Sequence, residues 1–364
     1  MIDRTGREQA LDGKTLDAIE VIIPNLNWRY SGVTAANRAV APLIARQCRV
    51  AWFGPHRPHG VVALGLIDLL RLRFSPPARG IRIWHARRNV EMVVGVVLRA
   101  LGFRLGLVFT SAGQRHHTWI TRLLMARQDA VIAASAAAAS YLKRSPTRII
   151  HHGVDTDLYA PPADCEQAFA AAGLPGRYGI GVFGRVRPQK GTDVFVAAMC
   201  RLLPRYPDFT AVVIGRITVE RRAFAERLRA DVAAAGLRYR VSFLGELPVE
   251  EVPRWYQRMS VYAFTSREEG FGLTLLEAMA SGAALVAARA GAAETVVRDG
   301  DTGVLVPPGD VDALVAALEP LMRDPARAAA MGARARTRAV AEFSVARETE
   351  EIAAVYRRIW AKTA

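Results

Sequence analysis

Two stretches of the chain place glycines beside charged residues directly after an apolar run. Residues 184–191 read Gly-Arg-Val-Arg-Pro-Gln-Lys-Gly, follow the apolar run 179–183 and precede a helix predicted to begin at Thr192. At such a strand-to-helix turn, backbone N–H groups and the helix N-terminus face an anion that cationic side chains can neutralise. Open α/β sheets bind ligands at the carboxyl ends of their strands. The pattern therefore predicts a diphosphate site at Gly184, Arg185 and Lys190, with an ordinary solvated loop as the alternative.

The second stretch, residues 266–279, carries Glu269 and Glu277, eight positions apart. Gly270 and Gly272 allow the backbone to approach a ligand closely, and the helix predicted to begin at Thr274 can hold a phosphate at its N-terminus. Glu277, near the start of that helix, could accept hydrogen bonds from ribose hydroxyls, and Glu269 on the loop could hold sugar hydroxyls. Glutamates that merely offset a helix dipole would explain either residue but not the whole arrangement.

The first stretch overlaps a pattern typical of dinucleotide-binding proteins. Residues 179–184 read Gly-Ile-Gly-Val-Phe-Gly, which matches GxGxxG but occupies the predicted strand instead of following it. No acidic residue ends a strand about 20 positions later. NAD binding is therefore not expected.

The elements that must position these residues alternate along the chain. Short apolar runs alternate with helical patterns, which is typical of βαβ units and parallel sheets, so we predict an α/β protein. The breaker-rich segment 160–177 predicts a connection between domain 1–165 and domain 177–345, and a final helix in 346–364 could pack back on the first domain. The predicted strands are 18–24, 49–53, 81–85, 104–110, 130–134, 148–151, 179–183, 210–214, 241–244, 261–264, 284–287 and 303–306.

Composition excludes several protein classes. With 364 residues, 51% hydrophobic and 23% charged, the chain is expected to be folded rather than disordered, with two domains. Cys48, Cys165 and Cys200 lie far apart without a CxxC pair, so neither a disulfide framework nor a zinc site is expected, and a reducing cytoplasm fits. Residues 1–19 lack a signal-peptide core, and the apolar stretch 92–109 is interrupted by two arginines, so no membrane span is expected.

The net charge of +15 is unevenly distributed along the chain. Residues 1–165 hold 22 of the 49 basic residues but only 11 of the 34 acidic ones. Arginines mixed with apolar residues are typical of a surface that meets anionic lipid, although arginine could simply be this chain's ordinary surface cation. No helix-turn-helix, RNP or zinc-finger pattern indicates nucleic-acid binding. The arginines concerned are Arg71, Arg73, Arg79, Arg82, Arg87, Arg88, Arg99 and Arg104.

The motifs of the second half together resemble a known enzyme family. Gly184-Arg185 with Lys190, Glu269-x7-Glu277 around Phe271-Gly272, Gly291-x-x-Glu294, Gly300-x-x-Gly303 and Pro307-Pro308-Gly309-Asp310 closely resemble the retaining GT-B glycosyltransferases of the glycogen-synthase-like family 4 type. The resemblance implies two Rossmann-like domains facing a cleft. It also implies a nucleotide-diphosphate sugar held mostly by the C-terminal domain, and transfer with retention that needs neither a metal nor another cofactor.

The resemblance also assigns roles to residues of the second domain. Arg185 and Lys190 would bind the diphosphate, beside Gly184, and Glu277 would bind the ribose. Glu269 and the backbone of Phe271, Gly272, Leu273 and Thr274 would hold the donor sugar and phosphate. Asp155-x-Asp157 looks like the metal-binding pair of the other glycosyltransferase fold, but in this family a Gly-Val-Asp stretch commonly precedes the link between domains, so no metal site is expected there.

The first domain carries weaker signs of the same family. Gly32 lies where the family has a glycine-rich loop that contacts the donor phosphates, but the usual pair of glycines is Ser31-Gly32 here. Family members often place a histidine just beyond a mid-domain strand, near the reacting sugar. His116 and His117 are the candidates, against a plain helix-start role, and His85, which ends another strand, is a rival.

Residues 23–32, 84–89 and 110–119 look more specifically like the lipopolysaccharide core mannosyltransferases of α-proteobacteria. That resemblance implies GDP-mannose as the donor and an anionic, Kdo-bearing lipid A precursor as the acceptor. It implies a cytoplasmic enzyme bound peripherally to the inner face of the cytoplasmic membrane. Three alternatives remain: a glycosyltransferase with another donor and acceptor, a nucleotide-sugar epimerase or phosphorylase on the same fold, and a non-catalytic membrane-associated binding module.

Overall fold

The computed structural model describes residues 11–363 and divides the chain into two compact units. Unit 1 comprises the residues up to Gly153 together with those from Val345 onwards, and unit 2 comprises Val154–Ser344. The segment 154–165, which the sequence analysis assigned to the first domain, therefore belongs to unit 2. The segment is hydrogen-bonded to unit 2 at its start, where the backbone N–H of Val154 donates to the carbonyl of Phe343, 2.9 Å away.

Unit 1 is built on a seven-stranded parallel sheet in the order β3-β2-β1-β4-β5-β6-β7. Its strands are β1 (Val21–Pro24), β2 (Val50–Phe53), β3 (Val62–Ala63), β4 (Arg82–Ala86), β5 (Leu105–Ser111), β6 (Ala130–Ala133) and β7 (Arg148–Ile149). Its first helices are α1 (Gly13–Ala18), α2 (Gly32–Ile44), α3 (Leu66–Arg71), α4 (Asn89–Ala100), α5 (Trp119–Ala126) and α6 (Ala136–Ser140). Strands β1 and β4 are buried along their whole length, as expected for a parallel sheet covered on both faces.

Unit 2 is built on a six-stranded parallel sheet in the order β10-β9-β8-β11-β12-β13. Its strands are β8 (Tyr178–Phe183), β9 (Phe209–Ile214), β10 (Val241–Gly245), β11 (Met259–Phe264), β12 (Ala284–Ala288) and β13 (Val304–Val306). Its helices are α7 (Cys165–Ala170), α8 (Thr192–Leu202), α9 (Arg222–Ala234), α10 (Val252–Gln257), α11 (Leu273–Ala280), α12 (Ala293–Val296), α13 (Val311–Arg323) and α14 (Pro325–Glu342).

The last helix of the chain, α15 (Val345–Trp360), belongs to unit 1. Its apolar side packs on α2, where Ile352, Tyr356 and Ile359 share a buried cluster with Val40 and Ile44. A helix from the end of the sequence thus completes the core of the unit that begins the chain.

Three of the eight arginines assigned to a lipid-facing surface are instead internal to unit 1. Arg82 is buried and donates to main-chain carbonyls, among them Ile19 at 3.1 Å, and burial lowers the pKa of its guanidinium to about 10. Arg87 is buried against Glu348, and Arg88 binds the loop after β1. That part of the prediction is wrong, because these side chains form hydrogen bonds and ion pairs with acceptors inside the unit.

Among residues 11–363, no helix is long and apolar enough to cross a membrane.

Candidate functional site

The predicted site of unit 2 lies where the strand order of the sheet reverses. Strand β8 has β9 on one side and β11 on the other, so the loops that follow β8 and β11 emerge side by side at the carboxyl edge. In open α/β sheets, ligands bind at this switch point. The motif stretch 184–191 is the first of these loops, and the stretch 266–279 comprises the second loop and most of α11.

Glycine is required where these two loops meet. Gly191 has φ +64°, and a Cβ there would overlap the main-chain carbonyl of Thr265. The hydroxyl of Thr265 donates to the carbonyl of Lys190 at 3.0 Å. The backbones of the two loops therefore pack directly against each other, and Lys190 is held at the contact.

The loops are also joined by an ion pair that the sequence analysis did not identify. Both terminal nitrogens of Arg267 donate to the carboxylate of Asp193, each at 2.8 Å, and one of them also donates to the carbonyl of Pro188 at 2.6 Å. Burial tends to raise the pKa of Asp193, but the Arg267 bonds outweigh it and the pKa lies below its usual value. Only the position of Asp193 in the first turn of a helix was visible in the sequence.

Lys190 and Glu269, 79 residues apart in the chain, form an ion pair between the two loops. Each side chain is only 17% exposed, and the second carboxylate oxygen of Glu269 accepts from the backbone N–H of Gly270 at 3.0 Å. The structure thus brings together two residues that the sequence analysis placed in separate motifs.

Two further cations adjoin this pair. Arg185 is exposed, while Arg187 is half-buried and its Nε has no hydrogen-bond partner in the described part of the chain. Burial lowers the pKa of the Arg187 guanidinium, and the positive charge of Arg185 lowers it further. Two neighbouring guanidinium groups repel each other unless an anion lies between or beside them, so this corner of unit 2 is suited to a polyanion.

Glu277 is held by two tyrosine hydroxyls that the sequence analysis missed. Tyr256 donates to Oε2 at 2.7 Å, and Tyr159 donates to Oε1 at 3.2 Å. Burial raises the pKa of the Glu277 carboxyl, and the two hydrogen bonds oppose that rise. No spacing in the sequence points to these tyrosines, because Tyr256 is 21 positions and Tyr159 is 118 positions away from Glu277.

The glycine-rich loop between these glutamates ends at an uncapped helix. Gly272 has φ +100° and immediately precedes α11, and no side chain caps the N-terminus of this helix. Leu273 and Thr274, the first two helical residues, are partly exposed, whereas the side chain of Phe271 is buried. Unpaired N–H groups at a helix start can bind a phosphate, so the backbone at 272–274 is available for that role.

The predicted loop of unit 1 is held by an arginine. Ser31 is the N-cap of α2, and Gly32 is its first residue, with open space where a Cβ would lie. The guanidinium of Arg88 donates to Ser31 at 3.0 Å and Thr34 at 2.9 Å, and to Asn25 and Glu91, both at 2.8 Å. The loop is therefore fixed to the segment after β4, next to the switch point between β1 and β4.

Comparison with known proteins identifies the family. Residues 166–338 match the family model described as glycosyl transferases group 1. The chain is 48% identical to the lipopolysaccharide core biosynthesis mannosyltransferase LpcC of Rhizobium leguminosarum bv. viciae over 343 residues. The aligned region covers 94% of this chain and 97% of LpcC. The chain belongs to the group 1 glycosyltransferases. The predicted enzyme class, a glycosyltransferase, is confirmed.

Two other similarities extend this result for the glycosyltransferase. It is 34% identical to a GDP-mannose-dependent alpha-(1-6)-phosphatidylinositol monomannoside mannosyltransferase of Mycolicibacterium smegmatis, over 82% of this chain and 74% of that one. The crystal structure of Anabaena Alr3699/HepE with UDP and glucose superimposes with a TM-score of 0.79 at 22% identity, over 93% of this chain and all of that one. The GT-B fold, with two Rossmann-like parallel-sheet domains, is confirmed.

The three candidate histidines of the glycosyltransferase differ in accessibility. His85 is buried, and its ring nitrogens contact the hydroxyls of Tyr356 at 2.6 Å and Thr110 at 2.7 Å, so it is part of the core. His116 is exposed. A ring nitrogen of His117 lies 3.5 Å from the hydroxyl of Ser111. Partial burial lowers the pKa of His117, and the positive charges of nearby arginines lower it further. Both lie on the loop after β5, at the carboxyl edge of the sheet.

The remaining motifs of the glycosyltransferase have structural partners. A Cβ at Gly291 would lie 2.6 Å from the carbonyl of Phe271, and one at Gly303 would lie 2.8 Å from Val297, so both glycines allow close packing. Glu294 pairs with Arg289, and Asp310 caps α13. The carboxylate of Asp155 accepts from two backbone N–H groups of its own turn. Among the described residues, no group of three or more His, Cys, Asp or Glu could hold a metal.

Proposed function

We propose that this glycosyltransferase transfers mannose from GDP-mannose, with retention, to the inner core of a lipopolysaccharide precursor of the Kdo-lipid A type. The acceptor is proposed because LpcC, a lipopolysaccharide core mannosyltransferase, matches nearly end to end. The donor is proposed because the mycobacterial relative is GDP-mannose-dependent. The reaction needs no metal in this proposal.

The observation that carries the proposal is the group of cations around the Lys190–Glu269 pair. Arg185, Arg187 and Lys190 lie on one loop, beside the uncapped start of α11. As the bond between the anomeric carbon and the β-phosphate oxygen breaks, negative charge builds on that phosphate. Cations and helix N–H groups already in position stabilise this charge most effectively where water is excluded.

Retention follows in this proposal if the acceptor hydroxyl attacks from the face that the phosphate leaves. The new bond joins the acceptor oxygen to the anomeric carbon, the old carbon–oxygen bond breaks, and the proton passes to the leaving phosphate, which gives GDP. Glu269 then holds Lys190 and the sugar hydroxyls and is not a nucleophile. His116 or His117 is proposed to lie near the acceptor.

The membrane part of the proposal rests on an exposed apolar surface of unit 1, the α3–α4 surface. The ends of α3 and α4 adjoin, since the guanidinium of Arg73 lies 3.1 Å from the Cβ position of Gly102. Apolar side chains among arginines favour an anionic bilayer surface and would bring the enzyme to a lipid-linked acceptor. The exposed apolar residues are Leu66, Ile67, Leu70, Phe74, Val90, Val93, Val97 and Leu101.

The test is a transfer assay with purified Kdo-bearing lipid A precursor and each of three donors: GDP-mannose, UDP-glucose and ADP-glucose, with and without EDTA. Mannosylation with GDP-mannose that survives EDTA, with an α-linkage by NMR, supports the proposal. Preferred transfer from UDP-glucose or ADP-glucose would mean that GDP-mannose is not the donor. An inverted linkage would contradict retention. Turnover of the donor without any transfer product favours the epimerase or phosphorylase alternative. The absence of both nucleotide binding and turnover favours the binding module.

A further inference from the structure

Unit 1 contains a groove that none of the residues assigned to the donor or the acceptor lines. It lies between α5 and residues 142–147, has a volume of about 690 Å³, and exposes mostly apolar surface. Its lining includes Trp119 and Leu123 of α5 together with Leu142, and Trp119 is 70% exposed. The volume is in the usual range of a small-molecule site.

Three cations line the same groove. Arg122, Lys143 and Arg144 form no salt bridge within the described part of the chain. The one acid of the lining, Asp129, is paired with Arg99 at 2.9 Å and accepts from the backbone of Leu107 at 2.7 Å. The groove therefore combines an apolar wall with uncompensated positive charge, which complements a molecule with an apolar chain and an anionic group.

The position of the groove separates it from the reacting groups. Strand β5 ends at the carboxyl edge of the sheet, α5 runs back, and β6 begins at the amino edge, so the groove follows α5 from one edge to the other. Its far end is formed by Asp129, Ala130 and Thr147, at the starts of β6 and β7. Substrates of open α/β sheets bind at the carboxyl edge. A ligand that fills this groove therefore extends away from the substrate edge.

We infer that this groove binds an anionic phospholipid of the bilayer, with one acyl chain along α5 and the phosphate at Arg122, Lys143 and Arg144. The inference deepens the membrane part of the proposed function: the enzyme recognises a single lipid molecule in addition to resting on the surface. Lipid binding at this site needs neither the donor nor the acceptor.

The test uses the full-length protein and soluble short-chain lipids below their critical micelle concentration. Dihexanoyl-phosphatidylglycerol is compared by calorimetry with dihexanoyl-phosphatidylcholine, which has the same chains without net charge, and with glycerol 3-phosphate, which has no chains. We expect saturable binding of one phosphatidylglycerol, binding of phosphatidylcholine weaker by about tenfold or more, and no measurable binding of glycerol 3-phosphate. Equal binding of the two lipids, equal binding of glycerol 3-phosphate, or no saturable binding overturns the inference.

Variants locate the site. Leu123→Asp should abolish phosphatidylglycerol binding, and Lys143→Glu should weaken it at least about fivefold, as expected for a lost surface charge. Val97→Asp, on the α3–α4 surface, is the matched control: it should weaken attachment to phosphatidylglycerol vesicles but not binding of the soluble lipid. Unchanged lipid binding by Leu123→Asp and Lys143→Glu places the lipid elsewhere and overturns the inference.

Transfer activity is measured on the same preparations, so that a failure of the proposed function can be distinguished from a failure of the lipid-site inference. Should Leu123→Asp lose thermal stability or GDP binding, Lys143→Glu, an exposed substitution, decides the question. Lipid binding without mannosyl transfer contradicts the proposed function and leaves the lipid site standing. Mannosyl transfer without saturable lipid binding contradicts the lipid site and leaves the proposed function standing.

Discussion

The hydroxyl of Tyr256 lies 2.7 Å from Oε2 of Glu277, and Tyr256 is itself buried beneath the site. Burial and the charge of Glu277 raise the pKa of Tyr256, so its hydroxyl remains a donor. A carboxylate that receives one hydroxyl on each oxygen keeps its remaining lone pairs for hydroxyls of a ligand. Glu277 is thereby oriented as an acceptor for a vicinal diol such as that of ribose.

Replacing Tyr256 by phenylalanine should weaken GDP binding by about tenfold or more, since a hydrogen bond to a charged group contributes about 1.5–3 kcal/mol. Calorimetric titration with GDP measures the effect. Tyr178→Phe is the control, because the hydroxyl of Tyr178 donates to Glu166 at the surface of the unit. Equal GDP affinity of Tyr256→Phe and the wild type would show that the orientation of Glu277 does not matter.

The pH dependence of GDP binding should report the same carboxylate. The raised pKa of Glu277 means that it takes up a proton at a higher pH than an ordinary glutamate, and the protonated form loses an acceptor. GDP affinity should therefore fall as the pH falls, and in Tyr256→Phe this fall should begin at a higher pH, because one bond that lowers the pKa is gone. Identical pH profiles of the two proteins contradict this account.

Replacing Lys190 by alanine should reduce turnover by about 100-fold or more, as when one charge-stabilising donor is lost. It should also leave Glu269, only 17% exposed, without its cation. Initial transfer rates at saturating donor measure the loss, and Lys362→Ala, at an exposed position, is the control. Near-normal turnover of the Lys190 variant would refute the role of the cation.

The Arg267–Asp193 pair should matter for the site and not only for stability. Arg267→Ala and Arg267→Lys should both raise the donor KM, because lysine keeps the charge but cannot make the two-pronged contact. Arg201→Ala removes an arginine from another Arg–Asp pair, that with Asp312, which is well exposed, and it should have almost no effect. A normal KM in Arg267→Lys would mean that charge alone suffices.

Gly191→Ala should be far more destabilising than Gly236→Ala. Both glycines have positive φ, +64° and +72°, but only at Gly191 would the new Cβ overlap a main-chain carbonyl. Gly236→Ala should cost about 1–2 kcal/mol for the backbone conformation alone. Gly191→Ala should cost more and also weaken GDP binding, which denaturant unfolding and calorimetry can measure. Equal losses would show that the two loops move apart without cost.

Much of the fold and part of the site could be predicted because their causes are local. All twelve predicted strands are present, since buried parallel strands are continuous apolar runs. Only β3, two residues long, was not predicted. Gly184 and Gly272 both adopt positive φ, a conformation that glycine permits. Helix α11 begins one position before the predicted Thr274.

The tertiary structure alone decided which of these parts meet. Strand β11 lies beside β8 although two strands separate them in the chain, and this places Lys190 against Glu269 and Arg267 against Asp193. The same folding buries Arg82, an arginine whose type predicts a surface position. Pairings of this kind depend on contacts between residues distant in sequence, so no local pattern encodes them. The sequence determined the loops, the helix starts and the family, and the packing of the sheet determined the site.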